Sequence, residues 1–342
     1  MKKIRTVLSV AAVFLAAVIA FLMVNRLFQP KYMTDLEEGS FIQEYYAQAG
    51  GHDVIFIGDC EVYANFIPAE LYRNYGITAY VRGTPQQLIW QSYYILEETL
   101  RYETPKVVVY NVNAMRYSEP VSEAYNRLTI DNMRWSKQKV DIIRASMTEE
   151  EDFWSYVFPV LRYHSRFDEL TKEDFTYFFQ EKTNTFNGYQ LHTGIEPAGT
   201  LPAKRVQANY RFADICYEYL EKMTNLCKEK GVELILIKAP SLYPYWYDQY
   251  DAQIQDFAQA NGLTFYNFTA DVQEIGLDYS TDTYDGGLHL NYDGGVKLTK
   301  FFGKLLVENH GVTDRRTDPA VAAIYEEKLR VFDEAVKKGT KS

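Results

Sequence analysis

The sequence predicts an α/β fold: a three-layer, doubly wound parallel sheet with one helical insertion, preceded by a transmembrane helix. Three observations predict it. Short segments that are apolar throughout alternate with segments of helical period, as in a parallel sheet covered on both faces. The alternation breaks once, from about Ala114 to Ala203, in a stretch rich in Tyr, Phe and Trp without an apolar strand. Val7 to Val24 is apolar except for Ser9 and follows Lys2, Lys3 and Arg5.

Eighteen helical residues span roughly 27 Å, close to the ~30 Å hydrocarbon core of a bilayer. The basic head places residues 1–5 in the cytoplasm, residues 6–25 in the cell membrane as a single-pass anchor, and the rest outside. A signal peptide has the same features, and Val18-Ile19-Ala20 offers a small-residue site. Phe21-Leu22-Met23-Val24 continues apolar past that point, which favours an uncleaved anchor. Residues 26–50 read as a polar stalk with an amphipathic lead-in.

Val54–Ile57 is the first strand. Ile67–Gly76 reads as a helix, with Pro68 near its start and Gly76 past its end. Ile77–Val81 is a strand, Gln86–Arg101 a helix and Pro105–Tyr110 a strand. After the insertion, expected to be mostly helical and to lie over the strand ends, come a helix over Arg205–Lys230 and a strand over Val232–Ile237. A helix over Ala252–Asn261, a strand over Leu263–Phe268 and a helix over Gly295–Val307 follow, then an amphipathic helix around Asp318–Lys338. The core is thus 51–113 and 231–310 joined by a helix at 205–230, with an insertion at 114–204 and a helical tail at 311–342.

Composition removes several function classes. With 46 acidic against 36 basic residues, the net charge is −10, which argues against nucleic acid as a partner. Three cysteines in 342 residues make no disulfide scaffold. Cys216 and Cys227 fall on one helix face roughly 16 Å apart, too far to bond, and read as packing residues. The 29 Tyr and 20 Phe suit surfaces that stack on sugars or sit near membranes.

In open α/β sheets ligands bind beyond the carboxyl ends of the strands. Gly58-Asp59-Cys60, Arg82-Gly83-Thr84, Asn111-Val112-Asn113 and Lys238-Ala239-Pro240 stand there, and Asp285 to Asn291 forms a late loop. Cys60 opens a helix, whose partial positive charge is expected to lower a thiol from its free value of about 8.5. His289 is one of five histidines, with His52, His164, His192 and His310. Asp282 and Asp285 precede it, and Gly286-Gly287 permit a tight loop, which suits an imidazole oriented by a carboxylate and serving as base to a nucleophile. A metal site of His289, Asp285 and Asp293 ranks lower, because no second His or Cys stands at ligand spacing. Lys238, Arg82 and His164 are expected to touch substrate; His164 lies in the polar cluster Arg162–Arg166.

Together these residues resemble the SGNH/GDSL hydrolase superfamily over about 51–113 and 231–307. Gly58-Asp59-Cys60 stands where the family has its Gly-Asp-Ser nucleophile block, with Cys for Ser. Gly83 matches its oxyanion glycine, Asn111 or Asn113 its oxyanion asparagine, and Asp285…His289 its Asp-x-x-His block with one extra residue. The extra residue leaves the acid open between Asp285 and Asp282.

The resemblance implies a flavodoxin-like layering and a Cys60–His289–Asp285 triad. It places Cys60, Gly83 and Asn111 or Asn113 at the oxyanion and calls for no cofactor. The anchor and the insertion are most similar to envelope proteins of polysaccharide O-acetylation and teichoic-acid D-alanylation. Those implied partners are an envelope polysaccharide or acyl ester and a multipass membrane acyltransferase. The rival from another class is a non-catalytic glycan-binding or assembly subunit with a disabled nucleophile.

Overall fold

Five apolar segments pair side by side, all parallel, in the order β2-β1-β3-β4-β5. They are β1 (Val54–Gly58), β2 (Ala79–Gly83), β3 (Val107–Asn111), β4 (Glu233–Lys238) and β5 (Thr264–Asn267). The computed structural model describes residues 2–30, 41–120, 122–179 and 185–340. Residues 31–40 of the expected stalk therefore lie outside the described residues, as do 121 and 180–184 of the insertion.

Alternate side chains of each strand point to opposite faces. Phe56, Val81, Val109 and Ile237 face one layer, made by α3 (Cys60–Asn65), α4 (Pro68–Tyr75) and α14 (Tyr292–His310). Ile57, Tyr80, Tyr110 and Leu236 face the other, made by α5 (Ile89–Tyr102), α11 (Asp214–Lys230) and α12 (Asp248–Asn261). Both faces are covered, which is why the central strands read as unbroken apolar runs. Cys216 and Cys227 sit fully buried in this second layer.

The boundaries that moved have local causes. β2 starts at Ala79 rather than Ile77 because Gly76 caps α4 in the left-handed region, φ +67°, and the Ile77 N–H still bonds back to Leu71 O. The strand consequently runs on through Arg82 and Gly83. The expected helix over Arg205–Lys230 begins only at Asp214. Before it, the Gln253 side chain donates to Tyr210 O and accepts from the Phe212 N–H, so those backbone groups need no helical turn. α14 starts at Tyr292, capped by the Asn291 side chain, and its two glycines are helical. A Cβ on Gly294 would stand 2.5 Å from Asp282 O, so the small residue is there for a close approach.

The insertion divides. α6 (Glu123–Ile130) and α7 (Lys137–Ser146) pack on α5 through Ile95, Ile130, Ile142 and Ile143, and α6 reaches the carboxyl end of β2, where Thr129 Oγ1 is hydrogen-bonded to Thr84 Oγ1. α8 (Phe153–Val157), α9 (Val160–Tyr163), a 3-10 turn at His164–Asp168 and α10 (Lys172–Thr176) gather at the foot of α1 (Lys2–Phe28). There Arg166 Nη1 donates to Phe28 O at 2.6 Å and the Val160 N–H to Asn25 Oδ1 at 3.1 Å.

From Thr185 onward the chain is an extended arm. It covers the β2 edge, where the Val81 N–H donates to Asn187 O. Gly188, φ +82°, is required at this crossing, since a Cβ would fall 1.9 Å from Val81 O.

α1 is long and apolar enough to cross a membrane: an 18-residue window within Lys3–Phe28 has a mean hydropathy of 2.9, and none of that window is buried. The expected stalk ends in a core element, α2 (Phe41–Gln48), whose Phe41, Ile42 and Tyr45 are buried. The tail is α15 (Pro319–Gly339), capped by Asp318, and Phe332 joins Ile67 and Tyr189 in a small cluster.

Candidate active site

β1 ends in Gly58, and Asp59 caps α3 by accepting the Glu61 N–H, so Cys60 is the first residue of a helix aimed at the strand-end face. Its backbone N–H belongs to the set a helix N-terminus leaves unbonded. Gly83, the next strand's end, packs against this turn: a Cβ there would lie 2.9 Å from Asp59 O and 2.5 Å from Val62.

His289 comes from the loop before α14. Its Nδ1 lies 2.6 Å from Asp285 Oδ2, and its backbone N–H donates to Asp285 Oδ1 at 2.8 Å. The Cys60 thiol stands beside the His289 ring, close enough for each group to perturb the other's titration. Asp285 occupies Nδ1, so Nε2 is the nitrogen left to meet sulfur. Two supports hold the loop: Thr283 Oγ1 accepts the Gly287 N–H at 2.8 Å, and Asn65 Oδ1 accepts the Leu290 N–H at 2.8 Å. Asp282 turns away; its carboxylate takes Lys297 Nζ at 2.6 Å and the Asp278 N–H. Of the two acids left open by the sequence, Asp285 is the one on the imidazole.

The electrostatics differ from expectation. Burial pushes the Cys60 thiol above its ordinary 9.0; the His289 ring opposes this, and the nearby Asp59 carboxylate reinforces it. The N-terminus of α3 does not offset this: the helix is only six residues long, and its Glu61 N–H is taken by the Asp59 carboxylate.

Burial disfavours the His289 imidazolium, but the Cys60 sulfur and the Asp285 carboxylate outweigh it and hold the ring well above 6.5. Burial would likewise raise Asp285; hydrogen bonds from the His289 ring, its backbone N–H and Thr283 keep that carboxyl below 3.8. The arrangement shares one proton between sulfur and imidazole.

Its pH dependence follows. A base must be neutral to accept a proton, so acylation of Cys60 is expected to rise with pH through an inflection above 6.5. Asp285→Asn should move that inflection to lower pH, and Asp282→Asn should leave it in place. Single-turnover acylation rates from pH 5 to 9 check this, and a wild-type inflection at or below 6.5 is the contrary result.

Other expected site residues are placed differently. Asn111 Nδ2 donates to Asp59 Oδ1 at 3.1 Å and Glu61 Oε2 at 2.9 Å, so both its amide hydrogens are spent on carboxylates. Asn113 Nδ2 donates once, to Asp59 Oδ2 at 2.6 Å, and its second amide hydrogen has no partner among the described residues.

Lys238 was expected at substrate, but it is fully buried and saturated: its Nζ lies 2.8 Å from Glu61 Oε1 and 2.6 Å from Ala239 O. Arg82 is likewise buried, stacked 3.8 Å over the Tyr45 ring and bonded to Thr99, on the α5 side of the sheet. The strand pleat sends it there, since its neighbour Val81 faces the opposite layer. His164 is exposed in the turn at the foot of α1, bonded to Leu161 O. Among the described residues no three His, Cys, Asp or Glu side chains cluster as metal ligands, so Asp293 does not join Asp285 and His289.

Sequence reasoning missed three contributors. Glu61 anchors Lys238 and Asn111 beneath the nucleophile, Asn65 ties down the His289 loop, and His192 from the arm stacks on Tyr284 at 3.8 Å. Tyr284 in turn stacks on His289. Only Glu61 had a sequence signal, an acid beside the candidate nucleophile with a lone lysine ending a buried strand.

No family model matches the sequence, and neither does any curated protein. Several solved structures are similar to the chain, two of them as follows. A provisionally assigned acylhydrolase of Bacteroides fragilis is 12% identical, with a TM-score of 0.39 over 78% of this chain and 95% of that one. A GDSL-like lipase of Bacteroides thetaiotaomicron is 12% identical, with a TM-score of 0.35 over 82% and 98%.

Proposed function

We propose that the chain is an SGNH-like acyl-transfer enzyme with a cysteine nucleophile, held at the outer face of the cell membrane by α1 and acting on an envelope polysaccharide or related acyl ester. The observation that carries the reading is the alignment at the strand-end face of Asp285, hydrogen-bonded to His289, with the Cys60 thiol beside that ring. The length and hydropathy of α1 support the anchor. A multipass membrane acyltransferase is the proposed donor-side partner.

In this reading Cys60 Sγ attacks the acyl carbonyl carbon while its proton passes to His289 Nε2. The resulting oxyanion is met by the Cys60 N–H, the Gly83 backbone and the remaining Asn113 hydrogen; one such donor is worth about 10²–10³ in rate. Collapse breaks the carbonyl–oxygen bond, and His289 gives the proton to the departing alkoxide, leaving a thioester. An acceptor hydroxyl then loses its proton to His289 and attacks the thioester; the thiolate leaves and takes the proton back. Asp285 holds the ring in the required tautomer throughout.

One observation favours the non-catalytic alternative: the thiol is raised and Asn111, an expected oxyanion donor, is consumed by Asp59 and Glu61. The full chain in detergent, mixed with an activated acetyl ester, separates the two. The enzyme reading expects a stoichiometric acetyl thioester on Cys60 by intact mass, absent in Cys60→Ala, and faster loss of that acetyl with oligosaccharide than with water alone. No thioester at any pH up to 9 leaves the binding-subunit reading standing.

A further inference from the structure

Beyond the triad, the ends of β3 and β4 continue into an open groove of about 690 Å³. One wall is Arg116 and Tyr117, at the end of the turn that places Asn113 on Asp59. The other is formed by Tyr243, Pro244, Tyr245, Tyr247 and Tyr250, which start two residues after Ser241, itself bonded to Glu61 at 3.0 Å. The Leu242 N–H donates to Gly287 O at 2.8 Å, so this wall is fastened to the His289 loop. The arm closes the groove with residues 202–207, where Tyr247 Oη donates to Arg205 O at 2.7 Å and Tyr245 Oη to Pro202 O.

Two features of the groove stand apart from the rest of the molecule. The hydroxyls of Tyr245 and Tyr247 are committed to the arm, which leaves ring faces as lining; such faces suit the apolar side of a sugar ring. The lining also holds Arg116 and Arg205 and no carboxylate, and Lys204 lies 5.0 Å above the Tyr247 ring. In a chain of net charge −10, a groove with only cations selects for an anion.

We infer that this groove binds an anionic glycan and presents it to the Cys60 thioester as the acyl acceptor. The inference rests on the acyl-transfer reading for the acceptor role alone; binding itself needs no chemistry. Aromatic faces hold the sugar rings, and the cations hold a carboxylate or phosphate carried along the chain. The groove begins two to three residues from the network under Cys60 on two strand ends, which puts a bound polymer beside the thioester in this reading.

The test uses full-length Cys60→Ala protein in detergent and measures binding calorimetrically. The probes are an oligogalacturonate, a phosphorylated oligomannose and a neutral cello-oligosaccharide. At least one anionic probe is expected to bind ten-fold or more tightly than the neutral one, and to weaken with added salt. The tighter of the two anions identifies carboxylate or phosphate as the source of charge.

Lys204→Glu with Arg205→Glu, both exposed and therefore safe for folding, should weaken anionic binding at least ten-fold with an unchanged melting temperature. Tyr243→Ala should weaken every probe that binds. Equal binding of neutral and anionic chains, no anionic binding, or indifference to charge reversal overturns the inference. Thioester formation on the wild-type chain is run beside it. A thioester without glycan binding removes the groove alone, and glycan binding without a thioester removes the acyl-transfer reading alone.

Discussion

His289→Ala is expected to lower the rate of Cys60 acylation by about 10²–10⁴-fold, the range for loss of a positioned general base. The large value follows from the state of the thiol. Burial and the Asp59 carboxylate hold it above 9.0, so almost no thiolate stands ready and the proton must leave as the carbon–sulfur bond forms. Nearby carboxylates cannot replace the ring. Asp59 accepts from Asn111, Asn113 and the Glu61 N–H, while Glu61 holds Lys238 and Ser241. Rapid-quench acylation with an activated ester, followed by mass analysis, measures the effect. A rate within three-fold of wild type would show that His289 is not the base. Recovery of rate at pH above 9 in His289→Ala, where hydroxide generates thiolate, is expected and separates a lost proton acceptor from a disrupted site.

Lys238→Met should be the most damaging single change to stability. The ammonium is fully buried and held by Glu61 Oε1 and Oε2 at 2.8 and 2.9 Å, Ala239 O at 2.6 Å and Ser241 Oγ at 3.1 Å. Burial alone disfavours both charges; the Glu61 carboxyl stays below 4.5 because Lys238 and the Asn111 amide compensate its desolvation. Removing one partner leaves the other charged and dry, which costs about 3–5 kcal/mol. For a chain of this size, that is a fall in melting temperature of roughly 4–7 °C. The double change Lys238→Met with Glu61→Gln should recover more than half, because no unpaired charge remains. Thermal and urea melts of the three variants decide it. A single variant within about 1 kcal/mol of wild type would mean that water reaches Lys238.

The same pair shows where sequence reading stopped. Lys238 at the end of a buried strand looked like a substrate contact, because in this fold class strand ends face the ligand. Its partner is 177 positions away, on the helix that carries the nucleophile. No local pattern shows that the ammonium bends back under Cys60 instead of reaching outward. Arg82 failed as a substrate contact for a related reason. Its pleat position was readable, but the Tyr45 ring that covers it comes from α2, in a segment that read as stalk. Asn111 had the right residue type at the right strand end, and two acids ahead of it in the chain took its hydrogens.

By itself the sequence determined the layered α/β architecture, because strands covered on both faces must be apolar throughout and helices must carry an apolar stripe. It also determined the span-length α1 and the candidates Cys60, Asp285 and His289, since a nucleophilic residue directly after an apolar strand and an Asp and a His around two glycines in a late loop are visible in the chain itself. Tertiary structure alone decided that Asp285 and not Asp282 meets His289, that the thiol is raised and not lowered, and that the arm and Tyr243, Tyr245, Tyr247 and Tyr250 enclose a cationic groove. Each of these depends on desolvation or on contacts between distant segments, and neither quantity exists until the chain has folded.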